Sequence, residues 1–303
     1  MLLSMSAAVA SRPPEGDSLL RAGRLPEALP VLLEECASRP GRPGLLYDVA
    51  WTFNRLGMPD SALPFARSAW MLEPQNQWYL AELMRTLWNL GRTGEILELR
   101  AWLRNGGPAR YYAAASGDTD SVLWLEKAAE SGCDSSAADA SFWLSLLASR
   151  SGDDLEALEL CRVAVLDSPG DQFYRAALVE RLSRAGRIEE AAAHLAVLRL
   201  ASPPGLPYWS ALAALAEAEG DAERRVWASR RALETRWTAE SAEGLGWALV
   251  ASGMQSLRRD GPEAALEDIE EARSLALRGS RLESCADSLL GIIREFEEAA
   301  SAR

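Results

Sequence analysis

Glycine recurs at a fixed interval of 34 residues in two separate series along this chain. The two series are Gly23, Gly57, Gly91 and Gly152, Gly186, Gly220. Proline stands seventeen residues after the first five of these glycines, at Pro40, Pro74, Pro108, Pro169 and Pro203. At the usual proline frequency of ~5%, this coincidence has a chance of about one in a million. The chain is therefore a set of repeats, which restricts it to similar units stacked side by side.

Each unit has the pattern of two amphipathic helices joined by a tight turn. Apolar residues recur at helical spacing from Leu45 to Leu56 and again from Ser61 to Leu72. Gly57 permits the turn between the two runs, and Pro74 ends the second because proline cannot continue the helical hydrogen bonds. Small residues recur at fixed places after the glycines, namely Ala28, Ala62, Ala69, Ala157, Ala164, Ala191 and Ala232. Small side chains let helices approach closely, so we predict an all-α stack of helical hairpins.

The pattern resembles the tetratricopeptide repeat over residues 12–277. The second unit has that family's large, small, aromatic, turn, small, small and stop residues at Leu46, Ala50, Phe53, Gly57, Ala62, Ala69 and Pro74. The family's tryptophan near the start of the first helix is kept only at Trp209, so these repeats are divergent. The resemblance implies a right-handed α-solenoid, a superhelix whose first helices line a concave groove.

The spacing also divides the chain into segments. We expect a disordered N terminus, three hairpins, a shortened irregular hairpin, three further hairpins, and a degenerate hairpin with a C-terminal capping helix, at residues 1–11, 12–108, 109–136, 137–238 and 239–303. Gly91 and Gly152 are 61 residues apart, less than two full repeats. The hairpin between them has therefore lost about two turns of its first helix and should interrupt the superhelix. An ankyrin-like helix pair is the alternative for this segment.

The C-terminal segment begins with an extended first helix at residues 240–259. Beyond it one apolar stripe is formed by Leu282, Ala286, Leu289, Ile293 and Phe296. A helix with such a stripe covers the exposed core of a terminal repeat.

The resemblance also implies which side chains face the groove. In the family these are the second, fifth, ninth, twelfth and thirteenth residues of each first helix. The matching aromatic, arginine and amide residues here are Tyr47, Trp51, Asn54, Arg55, Trp78, Arg85, Trp88, Asn89, Phe142, Arg150, Phe173 and Arg184. The predicted groove is therefore lined by aromatic rings and arginines in an otherwise acidic protein.

This lining favours a protein or peptide partner with acidic and apolar anchors. Aromatic rings give rigid apolar contact, and arginine binds carboxylates and carbonyls. We therefore expect an adaptor or scaffold. The alternative is that Trp51, Trp78 and Trp88 pack between hairpins and contact no ligand. The family's clamp for chaperone tails is disfavoured, because its places are occupied by Pro13, Asp17, Tyr47 and Trp51.

The net charge and the cysteine spacing limit which class of partner and which cellular compartment are expected. A net charge of −12 argues against a nucleic-acid partner. No apolar run approaches the ~18 residues of a membrane span. Widely spaced cysteines, Cys36, Cys133, Cys161 and Cys285, indicate reduced thiols in the cytoplasm. The alternative is a periplasmic or envelope-associated assembly or secretion factor, because the chain opens with a short apolar stretch. A further alternative is self-association of the chain through exposed tryptophans.

The sequence contains few of the residues and motifs that are typical of an enzyme active site. His194 is the sole histidine, so any histidine-activated nucleophile would have to lie beside it. No metal cluster, phosphate loop or dinucleotide fingerprint is present. Acidic pairs such as Asp153 and Asp154 follow hairpin turns, where they suit helix N-termini. We therefore expect a non-catalytic protein that binds no cofactor.

Overall fold

The computed structural model describes residues 16–104, 107–131, 135–200 and 204–301. These residues form α-helices joined by short loops, and no strand occurs among them. In chain order α1 to α17 are Gly16–Arg21, Leu25–Ser38, Pro43–Arg55, Pro59–Leu72, Gln77–Asn89, Thr93–Glu98, Gly107–Ala115, Thr119–Glu130, Ser135–Ser151, Asp154–Asp167, Gln172–Arg184, Ile188–Leu198, Leu206–Glu219, Ala222–Thr235, Ala239–Arg259, Pro262–Leu275 and Arg281–Ser301. The predictions made for residues 1–11, Cys133 and Pro203 lie outside the described residues.

Successive helices pair into eight hairpins within the described ranges. Hairpin 1 is α1 with α2, and the series continues in order to hairpin 8, which is α15 with α16. The six repeat glycines have φ values from 70° to 84°, the left-handed region that other residues rarely adopt. The predicted all-α solenoid of stacked hairpins is confirmed.

Small residues lie where neighbouring helices come closest. The recurring alanines are all between 0% and 5% exposed: Ala28, Ala62, Ala69, Ala157, Ala164, Ala191 and Ala232. Around them, side chains from adjacent hairpins form five buried apolar clusters in the described part of the stack. Burial of this row of apolar surface stabilises each hairpin on the next.

The shortened hairpin is hairpin 4, whose first helix, α7, has nine residues. Its turn falls at Gly117, with φ of 104°. The expected interruption of the superhelix is wrong, because α7 packs against both α5 and α9. A helix of nine residues still offers buried Ala109 and Ala113 to its neighbours, so the stack continues through it.

A second irregularity, which the repeat spacing does not predict, lies in hairpin 3. Its second helix, α6, has only six residues, whereas the other second helices have 11 to 14. A 3₁₀ helix, Leu99–Trp102, follows and turns Trp102 onto the edge of the Trp70 ring, with 5.6 Å between ring centres. The shortening leaves an apolar cleft of about 410 Å³ between hairpins 2 and 3.

The C-terminal helix α17 covers hairpin 8, as predicted. It packs mainly against α16, and Leu282, Ala286 and Ile293 are buried at that contact. Phe296 was expected to continue the stripe, but it is largely exposed, because the apolar contact ends before it. Neither α15 nor α17, at 21 residues each, nor any other helix in the described ranges is apolar enough over sufficient length to cross a bilayer.

The curved stack returns to its own beginning. The turn of hairpin 1 meets the linker before hairpin 8, where a β-carbon on Gly23 would lie 2.6 Å from the carbonyl oxygen of Thr235. The turn of hairpin 2 meets the linker after hairpin 8, where a β-carbon on Gly57 would lie 2.8 Å from Cδ1 of Leu277. We call this line of contact the seam; it comprises Gly23, Gly57, Thr235, Arg236, Ala239 and Leu277. One edge of the first two hairpins thus rests on the opposite edge of the last.

Candidate functional site: the inner wall of hairpins 2 to 5

Contacts between hairpins that are not neighbours identify the inner side of the stack. Cζ of Arg150 in hairpin 5 lies 4.4 Å from the centre of the Trp88 ring in hairpin 3. Nη1 of Arg55 in hairpin 2 lies 3.8 Å from Oε2 of Glu240 in hairpin 8. All four residues lie on first helices, which the resemblance places on the concave side of the stack. The inner wall comprises the residues joined by such contacts and by hydrogen bonds, together with Tyr47, which interacts electrostatically with Glu82 and Arg85. Its members are Tyr47, Trp51, Asn54, Arg55, Glu82, Arg85, Trp88, Asn89 and Arg150.

A buried polar network joins α3 to α5 in this wall. Nδ2 of Asn54 donates to Oε1 of Glu82 at 2.6 Å and to Oγ1 of Thr86 at 2.7 Å. Nη2 of Arg85 donates to both carboxylate oxygens of Glu82, at 2.7 and 2.6 Å. Nδ2 of Asn89 reaches Oδ1 of Asn54 at 3.5 Å. The carboxylate of Glu82 therefore neutralises the charge of Arg85 within the fold.

The ionisation of Arg85 follows from this pairing. Burial alone would lower the pKa of Arg85, but Coulomb attraction by Glu82 and the hydrogen bonds to it raise the pKa above its usual value. Breaking the pair would leave a buried, unpaired charge. Arg85 was predicted to bind a carboxylate of the partner. Such a carboxylate would have to compete with Glu82, which already pairs with Arg85 in the fold.

Arg55 is in the opposite situation. It donates no hydrogen bond to any residue in the described ranges, and its Nε–H is buried without an acceptor there. Its carboxylate neighbour Glu240 is 3.8 Å away with a side chain 89% exposed, so the pairing is loose. Burial lowers the pKa of Arg55, and the charge of Arg85 lowers it further. Arg55, stacked 5.4 Å from the centre of the Trp51 ring, is a cation with too little counter-charge.

Aromatic rings occupy the rest of the wall. The guanidinium of Arg150 crosses the short helix α7 to lie over Trp88, a cation–π contact. Burial raises the pKa of neighbouring Tyr111, and the charge of Arg150 opposes that rise. Tyr47 packs on Tyr79, with ring centres 5.4 Å apart. The indole of Trp88 is thus held between the hairpin core and an arginine.

Three of the predicted groove residues lie apart from this wall and are exposed. Trp78, at the start of α5, is 66% exposed, so it does not wedge between hairpins. Phe173, at the start of α11, is 60% exposed and lines a cleft next to the seam. Arg184 lies at the end of α11 and is paired with Glu180 on its own helix.

Phe142 belongs to the core. Its ring centre lies 4.9 Å from that of Tyr174 and 5.5 Å from that of Trp143, within the cluster that joins hairpins 5 and 6. A ring packed on two others in this way stabilises the hairpin contact. Phe142 therefore has a packing role in place of the predicted position in the groove.

Two residues of the site were not predicted as groove residues. Glu82 could have been found, because it stands three residues before Arg85 and opposite charges at that spacing share a helix face. Glu240 could not, because its approach to Arg55 exists only where the last hairpin meets the second.

His194, the sole histidine, is partly buried between two helices of one hairpin. Nδ1 of His194 on α12 lies 3.2 Å from Nη1 of Arg175 on α11. Burial lowers the pKa of His194, and the charge of Arg175 lowers it further. The described residues contain no group of three or more potential metal-ligating side chains.

Comparisons with known proteins agree on the architecture. No family model matches the sequence, and no curated protein matches it. A tetratricopeptide repeat protein from Parabacteroides merdae ATCC 43184 is similar over 91% of this chain and 96% of that chain, with 15% identity and a TM-score of 0.50. The human IFIT1 dimer with PPP-AAAA is similar over 95% of this chain and 71% of that chain, with 18% identity and a TM-score of 0.53.

A further structural neighbour is the APC/C hetero-tetramer Cut9-Hcn1, with 12% identity and a TM-score of 0.47 over 92% of this chain and 54% of that chain. At such identities, structural similarity establishes the fold alone. The chain has the fold of the tetratricopeptide repeat proteins.

Proposed function

We propose that this tetratricopeptide-type solenoid is a non-catalytic adaptor that holds a segment of a partner protein against its inner wall. The observation that carries the proposal is Arg55, which is partly buried, stacked on Trp51, and without a hydrogen-bond acceptor in the described residues. The Arg55 side chain is 38% exposed, so its guanidinium is open to a partner, and its buried Nε–H has no acceptor among the described residues. A partner's carboxylate would supply the missing acceptor.

The rest of the wall suits a peptide chain. Trp51 and Trp88 offer half-buried apolar faces on either side of the buried polar network. Asn89 is exposed beside them, and its amide can bond a peptide backbone. Aromatic anchors beside an arginine are the composition that binding hot spots favour. The anchor for an acidic residue is Arg55, since Arg85 is neutralised by Glu82.

A nucleic-acid partner is not part of the proposal, because a net charge of −12 repels phosphates over most of the surface. A cytoplasmic location is part of it. Cys36, Cys161 and Cys285 are free thiols in the described ranges, which agrees with a reducing compartment. The envelope-associated factor and self-association stay alternative predictions.

The test is capture of partner proteins from the native cell by the tagged chain, followed by mass spectrometry. Trp51→Ala with Arg55→Gln should lose the specific partner, because both anchors are removed without breaking the Glu82 network. Leu166→Ala is the matched control, since Leu166 is 77% exposed on a second helix and faces away from the wall. Equal capture by the double variant, with unchanged circular dichroism, would refute the proposal.

A further inference from the structure

The seam differs from every other contact between hairpins because it has no core. Adjacent hairpins share buried apolar clusters, but no cluster in the described residues combines side chains of hairpins 1 and 2 with those of hairpins 7 and 8. Hairpins 1 and 2 have their own cluster, and hairpins 7 and 8 share another with α17. The two edges therefore touch without interdigitating.

At the seam, Gly23 meets mainly the backbone of Thr235 and Arg236, whereas Gly57 meets side-chain atoms. Gly23 rests on the Thr235 carbonyl, and Gly57 rests on Ala239 and on Leu277, which is itself partly exposed. Beside Gly23 the edges separate around a cleft of about 480 Å³, which Arg236 lines. Such a contact excludes little apolar surface from water, so opening it costs far less than separating two adjacent hairpins.

Near these contacts an ion pair of the inner wall crosses the seam within the described part of the chain. Arg55 and Glu240 approach to 3.8 Å, and an ion pair this loose and exposed contributes little to stability. Arg55 is thus shared between the closed seam and the site for a partner's carboxylate.

We propose that the seam is a reversible gate to the inner wall and that Arg55 links the gate to partner binding. With the seam closed, a partner reaches the wall only along the axis of the superhelix. With the seam open, a folded or helical segment enters from the side. A carboxylate that binds Arg55 takes the cation from Glu240 and so favours the open state, because a ligand shifts an equilibrium by its preference for one state. The link to partner binding rests on the proposed function, whereas the gate does not.

The gate is tested by electron–electron distance measurements between nitroxide labels at Asp60→Cys and Arg278→Cys, two exposed positions on opposite sides of the seam. The four native cysteines are replaced by alanine in this background. We expect a short and a long distance in the parent protein, with the long fraction rising at high salt. A single short distance that does not respond to salt or to the substitutions below would overturn the gate.

Glycine variants isolate the packing at the seam. Gly23→Ala places a methyl group 2.6 Å from the backbone carbonyl oxygen of Thr235, which cannot turn aside as a side chain can, so the long-distance fraction should at least double. Gly91→Ala is the matched control, because Gly91 has nearly the same φ, 70° against 74°, and no atom within 4 Å of an added β-carbon. Equal distance distributions in the two glycine variants would contradict the proposal, and Glu240→Gln gives a second readout that leaves the turn unstrained.

The link to binding is tested with a synthetic hexaglutamate peptide as the probe. Added hexaglutamate should raise the long-distance fraction of the parent at least twofold and leave Arg55→Gln unchanged. Binding by fluorescence anisotropy without a change in distance would overturn the link and leave the inner-wall proposal standing. Absence of binding would count against Arg55 as the anchor, while the glycine variants would still decide the gate.

Discussion

At the scale of residues, the inner wall holds two arginines with different surroundings, Arg85 with a side chain 16% exposed and Arg55 with one 38% exposed. Arg85 lies against Glu82, which also accepts from Asn54, so the charge is balanced inside the fold. Arg55 has only the distant and exposed Glu240. Balanced pairs hold a structure together, whereas an unbalanced cation is where binding of an anion gains most.

The Glu82 pair should matter for stability. Glu82→Gln removes the charge that neutralises Arg85 and should lower the free energy of unfolding by about 3 kcal/mol. Glu180→Gln removes an exposed partner of Arg184 and should change it by less than ~0.5 kcal/mol. Urea denaturation of both variants measures the difference, and equal effects would show that the buried network is not a stabilising element.

Asp48 should make stability depend on pH. Burial raises the pKa of Asp48 to about 6, and the charges of Asp17 and Glu35 on hairpin 1 add to the shift. This value exceeds the unfolded one of about 4, so the stability due to the protonated carboxyl is present below pH ~4 and is lost as pH rises through ~6. Tyr79 of α5 is the further titratable neighbour.

Asp48→Asn should therefore be more stable than the wild type by about 1 kcal/mol at pH 7, an amount reduced for the water that reaches the carboxyl, and nearly equal at pH 4. Melting temperatures between pH 4 and pH 7 measure the effect. Glu34→Gln, an exposed carboxylate on α2, is the control. Parallel melting curves of Asp48→Asn and the wild type across this range would contradict the assignment.

Part of this residue-level detail can be predicted from the sequence. The glycines and alanines of the repeat are predictable, because each has one steric reason to be there. Glu82 is detectable from its spacing to Arg85. The loose pairing of Arg55 with Glu240 is not, because it depends on how far the six contacts between hairpins 2 and 8 together bend the chain.

At the scale of elements, the hairpins keep the same stacking arrangement along the chain while the lengths of their helices vary. Hairpin 4 loses part of its first helix, hairpin 3 part of its second, and α15 extends to 21 residues. The first and third changes follow from glycine spacing. The second does not, because the apolar pattern around Trp102 fits an α-helix or a 3₁₀ helix, and packing on Trp70 decides between them.

The capping helix offers a sharp comparison of two adjacent isoleucines. Ile293 is fully buried against hairpin 8, whereas its neighbour Ile292 is 43% exposed. Ile293→Ala should lower the free energy of unfolding by about 2–4 kcal/mol, and Ile292→Ala by less than ~1 kcal/mol. Hydrogen exchange should show faster opening of α16 and α17 in the first variant only. Equal effects would mean that α17 does not seal the last repeat.

At the scale of the whole molecule, the superhelix is a single curved layer whose edges meet. Each hairpin contacts chiefly its neighbours, so the shape is the sum of many small rotations. A small error in each rotation would separate the edges, which is why the repeat pattern predicts the stack but not the seam. The proposed function depends on the same curvature, because it gathers Trp51, Arg55, Trp88 and Arg150 from three hairpins into one wall.

The most direct measurement is site-specific photo-crosslinking in the native cell. A benzoylphenylalanine at Trp51 on the inner wall should trap a discrete partner protein, and the same probe at Leu166 on a second helix should not. Crosslinks at Leu166 with none at Trp51 would contradict an inner wall that binds a partner.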